Sequence, residues 1–166
     1  MSTFNLYLIR HSLAGQHGDY ENDRERPLTE EGKRKTHQVA KRLSELDLKF
    51  DLILTSPLVR AKQTAEILQD AGLSKYLEVA TYLAPGGNIQ TWIDWLEGWK
   101  ASEKSLALVG HEPDLSTWAE TLIWGNAEGK LRLKKAGAIG LTLPLAGSPI
   151  AHSQLFWLTP PRLFAA

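Results

Sequence analysis

Three short, uninterrupted apolar runs most constrain what this chain can fold into: FNLYLIR (4–10), FDLILTS (50–56) and SLALVGH (105–111). A strand with one wet face alternates apolar and polar residues. Runs without alternation suit strands covered on both faces, as in a parallel sheet between helices. Helical periods separate them. From Thr29 to Leu46 the apolar or small residues Thr36, Val39, Ala40, Leu43 and Leu46 recur every 3.6 positions, with Thr29 as N-cap and Glu30 and Glu31 in the first turn. From Pro57 to Ala71 a second stripe holds Leu58, Ala61, Ala65 and Leu68, with Pro57 in the first turn and Gly72 as the stop. A third runs from Asn88 to Trp99 and a fourth from Leu115 to Ile123, ended by Gly125. Two further strands, 138–145 and 152–160, flank the turn-rich AGSPIA. The order βαβααβαββ predicts a three-layer α/β/α domain with a mostly parallel sheet.

At 166 residues, 43% of them hydrophobic, the chain is read as one domain spanning 1–166. Nineteen basic residues balance nineteen acidic ones, so bulk charge draws neither nucleic acid nor an anionic membrane. Any cationic site must be local. The absence of cysteine excludes disulfides, thiolate metal ligands and a cysteine nucleophile. MSTFNLYLIRH is too short and too soon charged for a signal peptide, and no window reaches the roughly 20 apolar residues of a membrane helix. The expected location is cytoplasmic.

In open α/β sheets, ligands bind beyond the carboxyl ends of the strands. Here the first strand ends in Arg10-His11, the second in Thr55-Ser56-Pro57 before a helix whose first turn holds Arg60, and the third in Gly110-His111. Two arginines and two histidines, far apart in sequence, are thus delivered to one sheet edge, beside two helix N-termini with unpaired N–H groups. Such a set suits a tetrahedral anion, because a guanidinium fork matches phosphate oxygens in pairs and stays charged. The aperiodic segment 14–28, which carries Arg24 and Arg26, is long enough to suggest a functional loop. A divalent metal held by the histidines and an acid is the rival reading. No HxH or HExxH occurs, and arginines at the same edge would repel a cation, so no metal or other cofactor is expected.

These residues resemble the histidine phosphatase superfamily, whose signature is an Arg-His-Gly motif at the end of the first strand. LIRHSLA is similar to that signature, with Ser12 in place of the usual glycine. RPLTEEGKRKTHQVAKRL, DLILTSPLVRAKQTAEIL and LALVGHEPDLS resemble the following family segments. The short chain, the YLAPGG segment and the closing strand pair resemble the SixA-type protein phosphohistidine phosphatases. The resemblance implies a phosphoglycerate-mutase-like fold whose mixed sheet has one antiparallel edge. It also implies His11 as the nucleophile, Arg10, Arg26 and Arg60 on the phosphoryl oxygens, and His111 as a hydrogen-bond donor to them. Physically, His11 must attack through an unprotonated nitrogen, which a carbonyl accepting from the other ring N–H would secure.

Many phosphatases of this superfamily resemble one another in carrying a mid-chain acid that protonates an alkoxide leaving group. Here that region reads TYLAPGGNIQ, with Glu78 upstream and Glu112 after His111 as the possible general acids. An imidazole leaves more readily, its conjugate acid having a pKa of roughly 6.5. The missing acid therefore favours phosphohistidine as substrate, and the SixA resemblance implies a histidine phosphotransfer domain of a signalling protein as partner. The alternatives are a phosphomonoesterase acting on a small metabolite and a phosphate-binding module without turnover. Trp92, Trp95 and Trp99 form a helical stripe read as core, with a partner-docking face as the other reading.

Overall fold

The computed structural model describes residues 2–99 and 104–164. Six strands form one sheet in the order β3-β2-β4-β1-β5-β6. They are β1 (Thr3–Arg10), β2 (Leu52–Thr55), β3 (Leu77–Val79), β4 (Ser105–Gly110), β5 (Ala138–Pro144) and β6 (Gln154–Thr159). Four helices cover it: α1 (Glu30–Glu45), α2 (Val59–Asp70), α3 (Ile89–Trp99) and α4 (Asp114–Trp124). β3, β2, β4 and β1 are mutually parallel, while β5 runs antiparallel to both β1 and β6. The antiparallel strand is thus one in from the edge, and the edge strand β6 again runs with β1.

The apolar runs are buried on both faces, as their lack of alternation requires. On one face Leu6, Leu8, Leu106 and Leu108 pack against Trp92, Leu96, Trp118 and Leu122 of α3 and α4. On the other, Tyr7, Ile9, Ala107 and Val109 meet Val39, Leu43, Ala61 and Leu68 of α1 and α2. The tryptophan stripe belongs to the first core: Trp92 is fully buried, and Trp95 and Trp99 pack against it.

Three local expectations need correction. β3 lay unrecognised between the second and third helical periods, because its three residues are largely exposed and carry no alternation. Pro57 does not enter α2. The Ser56 hydroxyl accepts the Leu58 N–H at 3.2 Å, holding Pro57-Leu58 in a turn, so the helix begins at Val59. Leu46 is the exposed C-cap of α1 rather than part of its buried stripe. Thr29 caps α1 as expected, its hydroxyl accepting the Gly32 N–H at 3.0 Å. Gly32 is required there, because a Cβ would collide with the Leu13 carbonyl oxygen. That oxygen accepts the Thr29 amide at 3.0 Å and draws the start of α1 onto the chain just beyond His11.

Candidate active site

The strand order β2-β4-β1 makes the three functional strand ends neighbours. Register pairs Arg10 with Gly110 and Thr55 with Val109, so the residues that follow emerge side by side. The His11 N–H donates to the Gly110 carbonyl at 3.1 Å, and the Ser56 N–H to Val109 at 3.0 Å. The rings of His11 and His111 lie 5.1 Å apart, centroid to centroid, and Arg60 is buried beside them at 4% exposure.

The tautomer of His11 is fixed by its own backbone. Nδ1–H donates to the Ser12 carbonyl at 2.7 Å, leaving Nε2 as the unprotonated nitrogen. Burial pushes the His11 pKa down to about 3, with the charges of His111, Arg60 and Arg10 adding to the effect. His111 is lowered to about 4, first by burial and then by Arg60. Both rings are therefore neutral near pH 7. His111 Nε2 lies 2.7 Å from the Ser56 hydroxyl. That contact occupies Nε2 and leaves Nδ1 as the ring nitrogen of His111 without a partner among the described residues.

Five buried side-chain nitrogen or oxygen atoms lack a partner among the described residues, and four belong to this edge: Arg10 Nε, Arg60 Nε, His111 Nδ1 and Ser12 Oγ. Buried polar groups left unpaired are costly, and four of them concentrate that cost at this one edge. The remaining guanidinium contacts hold the arginines in position. Arg10 donates through NH1 to the Leu133 carbonyl at 3.0 Å. Arg60 donates through NH1 to the Asp23 carbonyl at 2.8 Å and through NH2 to the Asp23 carboxylate at 3.1 Å. Arg26 donates through Nε to that same carboxylate and through NH1 to the Gly15 carbonyl, both at 2.8 Å. The Arg26 hydrogen bond is the main cause holding the Asp23 carboxyl at about pKa 2.

The structure thus brings Arg10, His11, Arg60 and His111 together, with Arg26 tied to Arg60 through Asp23. It does not bring the two possible acids with them in a free state. The Glu112 carboxylate accepts from the Ser116 N–H at 2.8 Å and the Ser116 hydroxyl at 2.5 Å, capping α4, although its charge still reaches Arg10. Glu78 is exposed on β3, lining a hollow with Asp51, Tyr76 and Trp99. Among the described residues no group of three His, Asp or Glu side chains is assembled to hold a metal. Ser12, at the usual glycine position, does not have a positive φ, so serine introduces no left-handed strain there. Its N–H donates to Thr64 Oγ1 at 3.2 Å.

Sequence reasoning missed three contributors. Asp23 sits in an aperiodic loop where an acid among DRE reads as surface charge. Leu133 acts through a backbone carbonyl 123 residues from Arg10. Lys135 is half-buried, and its pKa is lowered by burial and then by Arg10, Arg26 and Arg60, which places it in the field of the site. Nothing in its surroundings could be read from KLRLKKAG.

Comparison with known proteins adds a family match and a shared fold. The model of the histidine phosphatase superfamily (branch 1) matches residues 6–80, which include Arg10, His11, Arg26 and Arg60. An uncharacterized protein of Picosynechococcus sp. is 48% identical over 160 residues, 95% of this chain and 96% of that one. Among solved structures, the protein histidine phosphatase SixA complexed with tungstate shares the fold at a TM-score of 0.85 and 24% identity, over 96% of this chain and 99% of that one. The alpha-ribazole phosphatase from Shigella flexneri does so at 0.70 and 18%, over 95% and 97%. Over residues 6–80 the chain carries the sequence of the histidine phosphatase superfamily. Its fold is that of the phosphoglycerate-mutase-like members, with a mixed six-stranded sheet and four helices. No helix among the described residues is long and apolar enough to cross a membrane.

Proposed function

We propose that this single-domain protein is a metal-independent phosphatase that passes the phosphoryl group through His11 and acts on phosphohistidine carried by a partner protein. The observation that carries the reading is the set of unpaired buried donors, Arg10 Nε, Arg60 Nε and His111 Nδ1, gathered beside a histidine whose Nε2 is free. Guanidinium groups supply the neutralisation that a metal provides elsewhere.

The His11 Nε2 lone pair attacks phosphorus, and the bond from phosphorus to the substrate imidazole nitrogen breaks. The electron pair stays on that nitrogen, and the substrate ring, protonated on its other nitrogen, leaves as neutral imidazole. Arg10 and Arg60 hold the equatorial oxygens, Arg26 adds its charge through its tie to Arg60, and His111 Nδ1–H donates to the charge that develops on them. Water then attacks the phosphohistidine. The bond to His11 breaks, inorganic phosphate leaves, and Nε2 regains its lone pair.

The preference for an N–P bond rests on the state of the acids. Glu112 is engaged by Ser116 and Glu78 lies on the edge strand, so an alkoxide would find no proton donor in place. The likeness to SixA, a protein histidine phosphatase, supports the same preference, whereas the likeness to alpha-ribazole phosphatase keeps a small phosphoester as the second reading. Parallel assays on phosphohistidine and a panel of sugar and nucleoside phosphates distinguish them. Phosphohistidine should be hydrolysed with the higher kcat/KM by a factor on the order of a hundred. A phosphoester matching it would transfer the assignment to a metabolite phosphatase.

A further inference from the structure

We propose that the groove beside this site, between the segment 132–134 and the end of β6, docks an acidic segment with apolar side chains belonging to the phosphorylated protein substrate; the proposal rests on the phosphohistidine-protein reading. The groove is a cavity of about 440 Å³, walled by Arg132, Lys134 and Arg162 and floored by Leu158, Pro160 and Pro161. No carboxylate lines it. None of its three cations is in an ion pair among the described residues. In a chain with no net charge, three unpaired cations around one apolar hollow are a local concentration of positive potential. Arg162 also borders a smaller hollow of about 230 Å³ beside α1, where Lys35 is compensated by Glu31, so the uncompensated charge is that of the main groove.

The groove and the site share a wall. β6 runs with β1, which puts Thr159 at the edge that carries His11. Within the wall, Leu133 gives its carbonyl to Arg10 while Lys134 lines the groove. The next residue, Lys135, lies in the field of Arg10, Arg26 and Arg60, and the Ala136 N–H donates to the Arg10 carbonyl at 3.0 Å. A polypeptide placing a phosphorylated side chain at His11 therefore passes its neighbouring residues over a positive, apolar-floored channel. Charge complementarity selects acidic residues, and the leucine and proline floor selects apolar ones. A nucleic acid would instead want aromatic stacking platforms, and none lines the groove.

The test uses short synthetic peptides with a central phosphohistidine, flanked by Asp/Leu or by Ser/Gly residues, with free phosphohistidine as the small substrate. Hydrolysis is measured at low and high salt for the wild type, for Lys134→Glu/Arg162→Glu and for Lys134→Ala/Arg162→Ala. The wild type should favour the acidic-apolar peptide by roughly tenfold in kcat/KM at low salt, and less at high salt. The alanine variant should lose that preference and the glutamate variant should reverse it, both with free phosphohistidine turned over as before. Unchanged peptide preference, or an equal loss on free phosphohistidine, overturns the groove. Should no substrate be hydrolysed by the wild type, the proposed function fails instead. Fluorescence anisotropy with the unphosphorylated acidic peptide then reads the groove by itself: binding lost in the variants upholds it, and no binding refutes it. An oligonucleotide of equal charge binding as tightly would also refute it.

Discussion

The Ser56 hydroxyl lies 2.7 Å from Nε2 of His111 while accepting the Leu58 N–H at 3.2 Å. One hydroxyl thereby joins the turn that starts α2 to the His111 ring, whose Nδ1 is left buried and without a partner among the described residues. Ser56→Ala removes the group that distinguishes the two tautomers. Loss of one oriented donor to a developing oxyanion costs roughly a hundred- to a thousandfold in kcat. We expect Ser56→Ala to lower kcat by on the order of tenfold, since part of the population keeps the productive tautomer, and His111→Ala to lower it further. Steady-state kinetics with a thermal melt on each variant separates this from loss of fold.

Arg60 offers a planar fork, using NH1 and NH2 on Asp23 and keeping Nε unpaired and buried. A lysine at this depth supplies a charge but cannot make both sets of contacts. Arg60→Lys should reduce kcat/KM by about a hundredfold. A variant within about twofold of wild type would show that only charge matters at this position.

Asp23 places one negative charge between Arg26 and Arg60. Asp23→Asn retains the shape, and Arg60 keeps the Asp23 backbone carbonyl at 2.8 Å. Removing the charge raises the local positive potential, so vanadate and phosphate should inhibit more strongly, by about threefold, at low salt. Weaker inhibition would mean that the carboxylate serves mainly to hold the arginines in place.

How legible was this arrangement in the sequence? Arg10, His11 and His111 could be picked out because they end or directly succeed buried strands, and Arg60 because it opens the helix after one; strand ends of a parallel sheet share an edge. The two-sided burial of β1, β2 and β4 follows from their unbroken apolar runs. β3 is short and exposed, so no pattern announces it. Asp23, the Ser12 carbonyl and the Leu133 carbonyl act through loop geometry and backbone atoms, which residue identity does not encode. Glu112 was readable in principle, since Ser116 four residues on is a ready partner for a carboxylate at a helix start.

The two buried histidines also give the fold an acid-sensitive window. Their folded pKa values, about 3 for His11 and about 4 for His111, lie below the unfolded value of 6.5. Between those limits the unfolded chain binds more protons, so stability is complete above pH 6.5 and declines as pH falls toward 4 and then 3. Asp23, lowered from 3.8 to about 2, contributes in the same direction below pH 3.8, overlapping only the acid end of that range. The urea midpoint of the wild type should drop between pH 7 and pH 4.5, and His11→Asn/His111→Asn should show a shallower slope. Parallel slopes would exclude the histidines as the cause.

Covalent capture at His11 tests the central claim most directly. Wild-type protein exposed briefly to a radiolabelled phosphoryl donor, quenched in alkali and digested should carry an acid-labile, alkali-stable label on the peptide containing His11. His11→Ala should carry none, and Ser56→Ala should acquire it more slowly. Label on another residue, or full turnover by His11→Ala, would contradict the account.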